Sequence, residues 1–267
     1  MNDYLDAVIV RNKIHKMLAG TGLHVVAGHD LSVWSVVVES HGGTINPQFD
    51  PVLNPQNGGY LSIHYDDTGA MACTMAWRIS LTNDYIEDMR SGIAWTPDPV
   101  AIGWEPLVLQ NPPEINGTVM CRGNLFSPPA APASRGSGQK LSWFLTSLLW
   151  CVAVEKSVDH VVSHAHTDIV ESGMARTLYG YARHTPMPKH KWPWFGVTAP
   201  AYMVHSSRSD FIQHVSRQAR FLRLCKHHEL GEAVAAYTRY QEAQEGSVQS
   251  IRTGPPEEAE NGPVGAD

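Results

Sequence analysis

GTVMCRGNLF (Gly117–Phe126), SPPAAPASRGSGQK (127–140), LSWFLTSLLWCVAVE (141–155) and HVVSHAHTD (160–168) follow one another with only KSVD between the last two. The first stretch carries Val119, Met120 and Cys121 between turn residues and reads as a strand. The second is proline- and glycine-rich and reads as a loop. The third is apolar on nearly every face, so it predicts a helix buried on all sides. HVVSH (160–164) is short and β-branched and predicts a second strand. Strand, loop, buried helix and strand in succession point to an α/β domain whose helix is enclosed by other elements.

Working outward, residues 4–19 place Leu5, Val8, Ile9, Ile14 and Leu18 near helical spacing and stop at Gly20 and Gly22, which predicts one opening helix. SVWSVVVE (32–39) is β-branched and reads as a strand before a loop over 40–59. Residues 60–65 and 70–79 flank the turn Asp66-Asp67-Thr68-Gly69 and predict a hairpin. Residues 80–116, with Pro97, Pro99, Pro106, Pro112 and Pro113, show no clear pattern. Beyond the central stretch, 171–179 reads as a helix stopping at Gly180, and 181–184 opens a strand. A Pro- and Trp-rich loop covers 185–200, 201–205 forms a last strand, and 209–244 is mostly helical. The tail from Gly246 is acidic and poor in apolar residues, which predicts disorder. The expected organisation is an N-terminal helical extension over 1–29, a main domain with C-terminal helices over 30–245, and a disordered tail over 246–267.

The 267 residues are 43% apolar and 17% charged, enough for a core and unlike a disordered chain. A net charge of −6 removes the electrostatic basis for a nucleic-acid partner. Cys73, Cys121, Cys151 and Cys225 form no C-x-x-C pair, which fits a reducing, cytoplasmic setting. The acidic N-terminus lacks a basic leader region, and the apolar run 141–154 is too short to cross a bilayer, so no membrane partner is expected.

Two constellations bear chemistry. In Arg135-Gly136-Ser137-Gly138-Gln139-Lys140, glycines at a helix N-terminus let backbone N–H groups point outward together, and with the helix dipole they suit a pyrophosphate; Arg135 adds a fixed charge. The same glycines also suit a plain surface connector. The stretch is neither a P-loop nor a dinucleotide fingerprint. The second constellation is Ser163-His164-Ala165-His166-Thr167-Asp168. Its H-x-H-x-D spacing is one that zinc sites use, but Ile169 stands where a further ligand is expected, so no metal is assigned. A solvated strand end and a wall of a substrate pocket remain as readings. Trp192, Trp194 and Tyr202 read either as a pocket wall or as packing under the loop.

Arg135-x-x-Gly138-x-Lys140, after a strand and before a buried helix, resembles the R/Q-x-x-G-x-G/A signature of the GNAT superfamily of acyl-CoA N-acyltransferases. The order of elements is similar too. The hairpin resembles the family's second and third strands, Gly117–Phe126 its fourth, 141–155 its third helix and 160–164 its fifth strand, while Gly180-Tyr181 resembles its Gly-Phe. Lys140 departs from the signature, and Arg176 stands where many members place a tyrosine, leaving Tyr179 as the nearby phenol.

The resemblance implies a mixed, largely antiparallel sheet flanked by helices, and transfer of an acyl group, acetyl being the first expectation, from acyl-CoA to an amine by direct attack. It implies acetyl-CoA or another acyl-CoA as co-substrate, held by Leu125, Phe126, Arg135, Gly136, Ser137, Gly138, Gln139 and Lys140. A backbone N–H near Phe126 would polarise the thioester, Tyr179 would protonate the thiolate, and His166 would accept the amine proton. The acceptor is a small-molecule or protein amine, and a homodimer is possible. The alternatives are a non-catalytic acyl-CoA-binding regulatory domain and a metal-dependent hydrolase using His164, His166 and Asp168.

Overall fold

The computed structural model describes residues 3–54, 57–107, 109, 111–129, 138–192, 197–225 and 230–252; within these, the side chains of 138–140, 188–192, 197–200 and 245–252 are left undescribed. Helix α1 (Asp3–Ala19) leads into β1 (Leu23–Gly28), α2 (Leu31–Ser40) and a 3-10 turn at Pro47–Phe49. The hairpin β2 (Gly58–Tyr65) and β3 (Met71–Thr82) is followed by α3 (Tyr85–Ser91), β4 (Gly117–Phe126) and α4 (Gly138–Glu155). Then come β5 (His160–His166), the short helices α5 (Thr167–Glu171) and α6 (Met174–Thr177), the pair β6 (Arg183–Trp192) and β7 (Val197–Ser207), and α7 (Arg208–Leu224) and α8 (Leu230–Arg252).

The strands form one seven-stranded sheet in the order β1-β2-β3-β4-β5-β7-β6. Every neighbouring pair is antiparallel except β4 and β5, which are parallel. Helix α4 is the packing centre. Trp143, Phe144, Leu145, Leu149, Trp150 and Cys151 are all fully buried between the sheet and helices α1, α7 and α8. Its polar positions are met sideways: Gln218 donates to the Ser147 hydroxyl at 2.7 Å, and Ser142 shares a 3.0 Å hydrogen bond with Tyr179. The opposite face of the sheet is covered by α3 and the chain around Trp95, Leu107 and Ile115, and by α2. Helices therefore lie on both faces, as expected for this fold class.

Four local expectations are corrected. Residues 32–39 are helical, because Leu31, Trp34, Ser35 and Val38 bury one face at helical spacing and the Asp30 carboxylate caps the Ser32 amide at 2.9 Å. The patternless 80–116 stretch contains α3, capped by Asp84 at Ile86 and Glu87 and ended by Gly92 at φ 89°. The 171–179 helix shrinks to α6 (Met174–Thr177), since Glu171 ends α5 and Gly173 breaks the helical run between them at φ 77°. The 185–200 loop is largely the β6–β7 pair, whose Pro186 and Pro188 are tolerated because β6 is an edge strand.

Within the stretch read as a helical extension, Leu23–Gly28 is an edge strand paired with β2, while α1 packs on α4 and α7. Helix α8 runs past Gly246 to Arg252, and residues 253–267 of the expected tail lie outside the described residues. No described helix is long and apolar enough to cross a membrane.

Candidate functional site

The parallel pair β4–β5 is brief. Val119, Met120 and Cys121 pair with His160, Val161 and Val162, and there the ladder ends although β4 runs on to Phe126 and β5 to His166. Between Ala76 and Thr74 of β3 the register of β4 moves from Gly123 to Phe126, so β4 carries a bulge with Asn124 at φ 52°. Asn124 is held there by its own side chain, which accepts from the Asn46 amide at 2.8 Å and donates to the Thr44 carbonyl at 3.0 Å. Parted strands and a bulge leave backbone groups turned away from the ladder.

A cavity of about 680 Å³ opens at this divergence. Its walls are Arg122 to Leu125 of β4 and Ser163 to His166 of β5, closed by Thr146 of α4, Trp95, and Tyr179 and Tyr181 from the turn after α6. Gly180 makes that turn at φ 76°, and a Cβ there would stand 2.2 Å from the buried ring of His214. The close approach fixes the turn against α7 and directs both neighbouring tyrosines at the cavity. Tyr181 is nearly buried and its phenolic oxygen accepts from Arg122 Nε at 2.5 Å. Burial pushes Tyr179 and Tyr181 up from the usual phenol range, so both are neutral at physiological pH. His164 lies against Trp95 with ring centres 4.6 Å apart, and enclosure by protein pushes it down to about 3, which keeps the imidazole neutral.

The sheet order, the buried helix between parallel β4 and β5, and the hairpin before them are consistent with the architecture that the central motif implies. The chain has a GNAT-like fold. No family model and no curated protein matches the sequence. Among solved structures the chain is similar to FeeM, an N-acyl amino acid synthase from uncultured soil microbes, at 13% identity and TM-score 0.42 over 74% of this chain and 98% of that one. It is also similar to the dodecameric spermidine N-acetyltransferase from Vibrio cholerae, at 7% identity and TM-score 0.41 over 73% and 98%. A third is Arabidopsis thaliana NAA60 in complex with acetyl-CoA, at 11% identity and TM-score 0.41 over 70% and 99%.

The expected site residues distribute as follows. Tyr179, His166 and Leu125 line the same cavity. Phe126 instead packs beside the cluster of Leu31, Trp34, Val38 and Phe49 beneath α2. Gly138, Gln139 and Lys140 open helix α4, whereas Arg135, Gly136 and Ser137 lie outside the described residues, as does Trp194. Arg176 is exposed and does not border the cavity, while Tyr179 does. Asp168 sits exposed in the first turn of α5, away from the lining set that includes His164 and His166. Among the described residues no group of three or more His, Cys, Asp or Glu is placed to hold a metal ion.

Sequence reasoning missed Arg122, Ser142 and Trp95. Their only signal is a charge inside an apolar strand, a hydroxyl inside an apolar helix, and a tryptophan in a patternless stretch.

Proposed function

We propose that this chain transfers an acyl group from an acyl-CoA to an amine by direct attack in a ternary complex. The observation that carries the reading is the cavity between diverging β4 and β5, bordered by the β4 bulge and by Thr146 of α4. Such a cleft suits an extended thioester arm, and a helix N-terminus opened by Gly138 suits its pyrophosphate. The bulge turns strand amides out of the ladder, which supports a role for an N–H near Leu125 in stabilising the thioester oxygen as charge develops. Tyr179, a neutral phenol hydrogen-bonded to Ser142, is suited to protonate the departing thiolate. His166, exposed at the end of β5, is suited to take the amine proton.

The test is calorimetry on the full chain with coenzyme A, acetyl-CoA, ATP and NAD, followed by release of free thiol in the presence of amines. Binding of the CoA species alone, with amine-dependent thiol release, is the expected result. Equal binding of all four ligands, or none by either CoA species, overturns the reading; binding without thiol release favours the regulatory alternative.

A further inference from the structure

Arg122 is a charge that the acyl-transfer chemistry above does not use. It follows the last β4 residue paired with β5 and is only 2% exposed, yet it borders the cavity. A guanidinium has five N–H donors. Three serve neutral acceptors: Nε donates to the Tyr181 phenol at 2.5 Å, Nη1 to the Thr146 carbonyl at 3.3 Å and Nη2 to the Tyr179 carbonyl at 3.2 Å. The guanidinium also lies 3.9 Å from the centre of the Trp150 ring and 4.3 Å from that of Tyr181. None of these partners carries a negative charge. The ion pairs among the described residues leave Arg122 without a carboxylate. Buried guanidinium groups are ordinarily paired, because removing the charge from water is costly and neutral acceptors return only part of that cost.

We propose that Arg122 binds a carboxylate carried by one of the two substrates, so that the enzyme's chemistry is directed at a carboxylate-bearing acyl group or a carboxylate-bearing amine. This deepens the acyl-transfer reading and rests on it for the roles of the two substrates. A planar fork with two donors left matches the two oxygens of a carboxylate. A single negative charge balances the single positive one, whereas a phosphate dianion would leave one charge buried without a partner. A purely alkyl group against Arg122 would seal the guanidinium from water and give nothing in return. The carboxylate comes either from the acyl side, as in a dicarboxylic acid monothioester, or from the acceptor, as in an amino acid.

The experiment uses the full chain and matched probes. On the acyl side, succinyl-CoA is titrated against butyryl-CoA. On the acceptor side, with and without acetyl-CoA, L-alanine, L-leucine and L-glutamate are compared with their α-amides. A preference of at least about tenfold for the carboxylate in one arm is the expected result, the size of a charge-assisted hydrogen-bond pair; the arm that shows it identifies the source. Arg122→Met should reduce that preference to about twofold, and Arg122→Lys should retain part of it. If Arg122→Met does not fold, the wild-type pairs still decide. Affinities within about twofold in both wild-type arms make Arg122 a structural tie and overturn the proposal. Coenzyme A binding without any carboxylate preference sinks this inference and leaves the acyl-transfer reading standing. Carboxylate preference in the acceptor arm without any binding of a CoA species does the reverse.

Discussion

Gly180→Ala tests whether the turn that carries Tyr179 and Tyr181 is held by its fit against α7. Two costs follow from the structure. Gly180 has φ 76°, and a non-glycine residue in the left-handed region costs roughly 1–2 kcal/mol. The added Cβ would stand 2.2 Å from Cε1, 2.3 Å from Nε2 and 2.6 Å from Nδ1 of His214. That ring is 2% exposed and sits beside Trp150, with centres 5.7 Å apart. Such overpacking adds about 1–3 kcal/mol. The expected loss is therefore about 2–5 kcal/mol, a large share of the 5–15 kcal/mol typical of a domain. Urea unfolding of wild type, Gly180→Ala, His214→Ala and the double variant measures it. In the His214→Ala background the alanine should cost only about 1–2 kcal/mol, giving a coupling of about 1–3 kcal/mol. A loss below about 0.5 kcal/mol, or no coupling, refutes the packing argument. Because the Tyr179 carbonyl accepts from both Arg122 and Trp150, the same variant should also weaken ligand binding in the cavity.

Three further outcomes are expected. His214 is pushed down to about 3 by burial from an ordinary 6.5, so its contribution is complete above pH 6.5 and is lost as pH falls toward 3. By linkage the loss is about 2 kcal/mol at pH 5; urea midpoints at pH 7.5 and 5 should differ less for His214→Asn by that amount, and equal differences would count against it. Asn124→Ala removes two hydrogen bonds and strains the bulge at φ 52°, for about 2–3 kcal/mol, while Asn124→Gly keeps the conformation and costs about 1 kcal/mol less; equal losses in urea would show that the conformation is unimportant. Tyr179→Phe should lower kcat about 100-fold with KM for the acyl-CoA within about threefold; an unchanged kcat removes the phenol from the chemistry.

What the sequence revealed depended on how local the signal was. Helix α4 was legible because apolar residues surround it on every side, and the β2–β3 hairpin because its turn residues are adjacent. Helix α2 was not, since Val33, Val36 and Val37 speak for a strand while the deciding facts are the Asp30 cap and the burial of Leu31, one residue before the β-branched run. The β6–β7 pair was hidden by Pro186 and Pro188, which argue against a strand unless it is known to lie at a sheet edge. Tyr179, His166 and Leu125 were named through the family resemblance and line one cavity. Arg122 was not found, because its three partners lie 24, 57 and 59 residues away in sequence. A charge in a strand says nothing by itself about whether a carboxylate will meet it.

The cavity opens where the backbone pairing of β4 and β5 ends and the Tyr181 side chain enters. Up to Cys121 and Val162 the two strands pair directly. One residue later on β4, Arg122 donates to the Tyr181 phenol, and Ser163, one residue later on β5, lines the same cavity. Tyr181 comes from outside both strands, delivered by the Gly180 turn that His214 holds in place. A phenol takes up more space than a ladder hydrogen bond, and the strands part where Tyr181 meets β4. On the β4 side the divergence is fixed independently by the Asn124 bulge and its ties to Thr44 and Asn46. The opening is thus set by three distant pieces of chain, and a buried cation, Arg122, lies in its wall. The lining brings together the β4 bulge, the neutral phenol of Tyr179 and the Arg122 charge. Together these surroundings are the ones the proposed carboxylate-bearing substrate would meet.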